Sequence, residues 1–410
     1  MLTVYLDSSD YSVFADPPAA SAVACAEIFD RLRRYVDQGQ IEVRYSAAHV
    51  SEICNTSPIH LPNAQRRAEV LDELCRGKCL RFADSIVEDE FKLRMKRRPW
   101  RASVGHAEGN EWFEVPIGNL RSIRDQFQKD ITDEFKKRGV PRRQRSKGAM
   151  KQLVREFARS EVGSAQLKKA AEDLSTDFPI KASSQITDAL RRFALGEVSD
   201  IELHKLFVRA MRDPLDLIAH LAPMIDANAR LSLLVRNMGR DMAQAATAPF
   251  ARVMALSIYS SRLGRTEDAK ALLRKTFSDL KSTVKTKIVQ KFVDEDANND
   301  LRRWLNSLSP SEILKLDIPC TDVFVAAMTR KLWDIASNLL IAPNSPMWTP
   351  QDGVDLMHAR NAPYVDIFRC DGGWYAPVSA SAKKYGTTVV GKLSHLCTAI
   401  DSKLAATSAS

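Results

Sequence analysis

Four acids at distant positions carry the most specific chemistry in this sequence: Asp7, Glu52, Asp355 and Asp371. Two of them close apolar runs. Residues 3–9 read TVYLDSS and residues 364–371 read YVDIFRCD, so Asp7 and Asp371 each stand where a buried strand would end. A carboxylate at the mouth of a sheet is costly to desolvate unless a cation meets it. Glu52 lies in AHVSEI, just past another strand-like run, and Asp355 lies on the helical segment before the last acidic strand. Converging acids cannot all stay ionised without a counter-charge, and a hard divalent cation, Mg²⁺ or Mn²⁺, resolves this.

The elements that must position these acids come from the two ends of the chain. Over residues 2–91, LTVYLD, IEVRYS (41–46) and CLRFAD (79–84) read as strands. They are separated by helical periodicity over 19–39 and in NAQRRAEVLDELCRG (63–77). Strands alternating with helices imply parallel pairing in an α/β sheet, with ligands at the carboxyl ends of the strands. The alternation stops near residue 92, and a long helical pattern runs to about 345, as in EDAKALLRKTFSDL (267–280). It returns at the far end. TPQDGVDLMHARNA (349–362) opens as a capped helix, YVDIFRC (364–370) is a strand and GTTVVG (386–391) is the last strand. Neither end holds enough strands for its own sheet. The expectation is one α/β domain assembled from residues 1–91 and 346–410, interrupted by a basic, mainly helical insertion over 92–345.

Bulk properties narrow the class. A chain of 410 residues exceeds the usual size of a single core, and its 45% hydrophobic and 27% charged content is that of a globular protein rather than a disordered one. The net charge of +9 favours a polyanionic partner. Seven cysteines with no CxxC pair argue against a disulfide framework or a zinc knuckle. No window has the uncharged apolar length of a membrane span, and a reducing cytosol is the expected compartment.

The basic charge concentrates in KLRMKRRPWR (92–101) and KKRGVPRRQRSK (136–147). Lys96, Arg97, Arg98 and Arg101 around Trp100, with Arg142, Arg143, Arg145 and Lys147, read either as a solvated face or as a phosphate clamp. In the second case Trp100 or Trp112 offers a stacking surface for a base.

Taken in order, VYLDSS, SEI and DLMHARNAPYVDIFRCD resemble the PIN domain, the nuclease fold of VapC-type toxins and related ribonucleases. The resemblance covers residues 1–91 and 346–410 and implies a PIN-like parallel sheet flanked by helices. It also implies that Asp7, Glu52, with Ser51 at a helix start, Asp355 and Asp371 are metal-binding catalytic acids. The implied activity is a Mg²⁺- or Mn²⁺-dependent endoribonuclease that leaves 5′-phosphate and 3′-hydroxyl ends, with RNA favoured over DNA. Where family members place a small hydroxyl residue near the last acid, this chain has Arg369 and Cys370. The helical insertion would select substrate or hold a protein partner or inhibitor. A toxin, a defence effector and an RNA-processing enzyme would share the pattern. The other class of reading is a catalytically silent PIN-like scaffold that binds nucleic acid or protein.

Neighbouring residues carry plainer expectations. Asp352 forms a capping box with Thr349, and Asp366 is structural. His358, one turn after Asp355, reads as a hydrogen-bonded core histidine in preference to a ligand. Ser8 and Ser9 are turn hydroxyls, and Asp10 is a supplement to Asp7. Asp84, Glu88, Asp89 and Glu90 form a solvated helix start.

Overall fold

LTVY buries both of its faces, as a central parallel strand must, and its two neighbours come from opposite ends of the chain. In the computed structural model β1 (Leu2–Tyr5) pairs in parallel with β2 (Ile41–Val43) on one side and with β5 (Ile367–Arg369) on the other, and β6 (Thr388–Val390) lies beyond β5. The order is β2-β1-β5-β6, all parallel. The structure describes residues 1–54, 61–108, 257–294, 299–342 and 348–408, with isolated positions between 133 and 255. Thus the α/β sheet built from both chain ends is present, in a mostly helical molecule.

The third strand differs from expectation. β3 (Lys78–Leu80) touches the main sheet through a single parallel bridge, Tyr45 to Cys79, and its other edge pairs antiparallel with β4 (His106–Glu108). The bridge is held by Leu80 N donating to Tyr45 O at 2.7 Å. So short a return strand has no periodic signal of its own.

Alternation along the strands builds two cores. Val4 and Ile367 are paired across β1 and β5 and face one way, into a cluster with Val43, Leu71 and Ile400. This side is covered by α2 (Ala22–Asp37), α4 (Leu61–Cys75) and α12 (Leu396–Ser408), and Phe193 and Leu203 of the middle region also pack there. Tyr5 and Phe368, the next pair, face the opposite way with their rings stacked 5.1 Å apart. Their side is covered by α5 (Ala83–Met95), α6 (Thr266–Asp294), α7 (Asn299–Ser307), α8 (Pro310–Lys315), α9 (Pro319–Ile341), α10 (Pro350–Ala359) and α11 (Gly372–Ala382). α9 is the hub of this layer and packs against α5, α6, α10 and α11.

Among the acids after β3, Glu90 departs from the solvated helix start expected for it. It is buried on α5, accepts from Tyr364 Oη at 2.5 Å and from Cys320 N at 3.3 Å, and so caps the first turn of α9 from another element. Asp84, Glu88 and Asp89 stay partly exposed at ion-pairing distance from Arg360, Lys92 and Arg81. Among the described residues no helix is long and apolar enough to cross a membrane.

Candidate active site

Two successive strand-to-helix turns deliver two of the acids. β1 runs into Asp7, the N-cap of α1 (Ser8–Ala15), and β5 runs into Asp371, the N-cap of α11. Because β1 and β5 are parallel neighbours with Tyr5 opposite Phe368, both caps emerge at the same carboxyl edge. Asp7 accepts from Ser9 N at 2.9 Å and Asp371 from Trp374 N at 3.0 Å. Each acid therefore ends a strand, starts a helix and looks out over the sheet edge, where ligands bind in α/β folds.

The other two acids are brought by helices. α10 begins with the expected capping box, in which the Thr349 side chain accepts from Asp352 N and Asp352 accepts back from Thr349 N at 2.8 Å. Asp352 also pairs with Lys331 of α9 at 3.2 Å, which fixes the helix so that Asp355, almost one turn later, faces the edge. Glu52 rides on α3 (Ala47–Cys54), which packs against α10. Glu52 lies in the second turn of α3, not at the helix start expected for it. The start is five residues earlier, where Ser46 Oγ accepts from Ala48 N at 3.3 Å and His49 Nδ1 accepts back from Ser46 N at 3.0 Å.

All four acids line one cleft of about 440 Å³, together with Ser8, Ser9, Ser12, Arg67 and Gln351. The electrostatics record their proximity. Burial, followed by the charges of Asp371, Asp7 and Glu52, pushes the Asp355 carboxyl up to about 7, against the opposing pull of His358. Glu52 goes the other way: burial would raise it, but the hydrogen bond and charge of His358, helped by Ser8 and Gln351, bring it down to about 2.

His358 is buried and bonded on both ring nitrogens. Nε2 lies 2.8 Å from Glu52 Oε2 and 3.2 Å from Ser8 Oγ, and Nδ1 lies 2.7 Å from Tyr5 Oη. Burial works against its protonation, yet the bond to Glu52 and the charges of Glu52, Asp7 and Asp355 raise its pKa. As an imidazolium it donates to Glu52 on one side and to Tyr5 on the other, while Tyr5 donates to Ser46 Oγ at 2.6 Å. Beneath it His49 is held neutral: burial and the charge of His358 lower it to about 3, and its Nε2 donates to Leu6 O at 2.9 Å.

Gln351 spans two of the acids, donating from Nε2 to Glu52 Oε1 at 2.7 Å and to Asp355 Oδ1 at 3.3 Å. With the side chains in this arrangement, no group of three or more His, Cys, Asp or Glu among the described residues is gathered closely enough to hold a metal ion. The donor set, oxygen-only and carboxylate-rich in an open cleft, is of the kind that suits Mg²⁺ or Mn²⁺. For Glu52 and Asp355 to share such an ion, the Gln351 amide must move from between them.

The remaining sequence expectations fall out as follows. Asp10 faces away from the cleft: it is buried against Arg369 at 2.9 Å and accepts from Asp7 N at 3.0 Å, so it positions Asp7 instead of supplementing it. Asp366 is structural, bonding Thr3 N and Oγ1 at 2.8 Å across β1 and β5. Lys96, Arg97, Arg98 and Arg101 are exposed around the end of α5. Trp100 is drawn toward the C-terminal part of the chain. Its ring is partly buried against the second core, 5.2 Å from Tyr385 and 6.3 Å from Tyr364. Trp112, Arg142, Arg143, Arg145 and Lys147 lie outside the described residues.

Among the cleft residues outside the sequence expectations are Gln351 and Arg67. Gln351 was findable, since it precedes Asp355 by four positions on one helix face. Arg67, on the face of α4 turned toward α1, carries no local signal that separates it from Arg66 beside it. Compared with family models, curated proteins and solved structures, the chain gives no match.

Proposed function

We propose that this chain is a metal-dependent phosphodiesterase of PIN type, acting on RNA in preference to DNA. The observation that carries the reading is the meeting of Asp7, Glu52, Asp355 and Asp371, from four separate stretches of chain, in one cleft at the carboxyl edge of the parallel sheet. Like charges gathered by the fold around the buried His358 ask for an external cation. A divalent ion held by these acids would supply an activated water and offset charge on the phosphate.

The chain's own residues prepare the site. Asp7 and Asp371 are fixed by their caps, and His358 holds Glu52 ionised and oriented. The raised Asp355 is neutral below about 7 and would release its proton to solvent when a cation takes the proton's place. Arg67 on the cleft wall is the cation placed to meet a substrate phosphate. Preference for RNA follows the PIN resemblance.

The test is incubation of the purified protein with labelled single-stranded RNA and DNA in Mg²⁺, Mn²⁺ or EDTA, beside the Asp7→Asn and Asp371→Asn variants. Metal-dependent cleavage of RNA, lost in both variants, is the expected result. Cleavage that persists in them, or in EDTA, overturns the reading. A second reading, a catalytically silent scaffold that binds nucleic acid or protein, is favoured by one observation: the acids are engaged in internal hydrogen bonds and no three of them converge. Binding of RNA without cleavage under any metal condition would select it.

A further inference from the structure

A second groove, of about 640 Å³, is lined by residues of β6, α11 and α12. Gly372, the first residue of α11, lines the groove, and Asp371, the cap just before it, lines the acidic cleft, so both reach the start of that helix. The volume lies within the range of small-molecule sites, between roughly 300 and 1,000 Å³. One wall is the edge strand β6 and Gly391, and another is α12 with Thr398 and Ser402.

Its chemistry is the reverse of the acidic cleft. No Asp or Glu lines the groove. Its charged side chain is Lys392, which is exposed, and His395 stands beside it. Tyr375 is 44% exposed, a large value for an aromatic ring in a pocket wall, and it is seated on Gly391, where an added Cβ would come within 3.1 Å of the ring. A ring supported from below by a glycine is pre-organised for stacking, and single-stranded nucleic acid is held in this way by aromatic faces combined with a cationic wall.

We propose that this groove is a subsite for a nucleotide of the single-stranded substrate, flanking the phosphate in the acidic cleft, with Tyr375 stacking on the base and Lys392 meeting the adjoining phosphate. The proposal rests on the reading of the cleft as a phosphodiester site. An extended peptide added to the edge of β6 is the other occupant that such a surface could take. The nucleotide is favoured because neighbouring residues, Asp371 and Gly372, line the cleft and the groove, because the described lining of the groove carries a lysine and no acid, and because it presents an aromatic face.

Binding and cleavage separate the two claims. Anisotropy of a labelled single-stranded RNA oligonucleotide, titrated in EDTA, reads the groove without asking for catalysis. Tyr375→Ala and Lys392→Glu are each expected to weaken binding about tenfold, the scale of one lost base stack, while Tyr375→Phe restores it. Both positions are exposed, and unchanged melting curves will show that folding is retained. In Mn²⁺, if the wild type cleaves, Tyr375→Ala is expected to raise KM with little change in kcat. Oligonucleotide binding unaffected by both variants overturns the subsite, including the case in which the groove belongs to a peptide strand. Binding that depends on Tyr375 in a wild type that never cleaves upholds the subsite and overturns the nuclease reading alone.

Discussion

Asp355 and Glu90 are both carboxyls pushed toward neutral pH, and they reach it in opposite settings. Burial raises Glu90 to about 8, but its oxygens are met by fixed internal donors, Tyr364 Oη and Cys320 N. Burial also comes first for Asp355, at about 7, and against the pull of His358 the other groups that raise it are the charges of Asp371, Asp7 and Glu52, three other acids on the wall of an open cleft. The first acid completes the fold. The second is opposed by its surroundings, so its place in the fold costs stability where that of Glu90 adds it.

That contrast predicts substitutions of opposite sign. The largest effect is expected at Arg369→Ala, which strips the buried Asp10 of its guanidinium. A loss of about 3–5 kcal/mol by urea unfolding is expected, and a loss under 1 kcal/mol would show that Asp10 behaves like the cleft acids. Glu90→Ala comes next, at about 2–3 kcal/mol, because it leaves Cys320 N and Tyr364 Oη unmet in the core, whereas Glu90→Gln keeps most of the stability.

Alongside Asp10, which burial raises to about 7 against the pull of Arg369, the same two acids set a pH dependence. Both have folded values above their ordinary values of 4.5 and 3.8, so the native state holds protons that the unfolded chain has released. The stability they contribute is complete below those ordinary values and is lost as pH rises through about 7 for Asp355 and about 8 for Glu90. Glu52 works in the opposite sense: its contribution is complete above 4.5 and is lost as pH falls toward 2. Unfolding midpoints across pH 5 to 9 should decline for the wild type, and the decline should be shallower in Glu90→Gln. The smallest effect, and the one of reversed sign, is expected at Asp355→Asn. Removing one of four crowded acids should stabilise the metal-free protein by about 1 kcal/mol at pH 8, and destabilisation there would erase the contrast with Glu90.

Much of this arrangement was legible in the sequence because local signals and tertiary positions agree. TVYLD and DIFRCD each read as a buried strand closed by an acid, and Thr349 with Asp352 reads as a capped helix start. These patterns put Asp7, Asp371 and Asp355 where the structure has them. What was not legible depends on partners far along the chain. Asp10 is buried by Arg369 and Glu90 by the start of α9, and nothing within a few residues of either acid distinguishes it from its solvated neighbours. Trp100 sits in a basic stretch but is claimed by Tyr364 and Tyr385 of the C-terminal part. Glu52 was placed at a helix start because Ser51 looks like a cap. The helix instead starts at Ala47, capped by Ser46 with His49 bonding back to it, so Ser51 is buried within it.

The central claim is that the four acids form one cation site, and the most direct measurement is a calorimetric titration of the metal-free protein with Mn²⁺ at pH 7.5. The account predicts a saturable site in the wild type that is lost in both Asp355→Asn and Asp371→Asn, with a proton released on binding because Asp355 must ionise fully. No saturable binding in the wild type, or binding left unchanged in both variants, would contradict it.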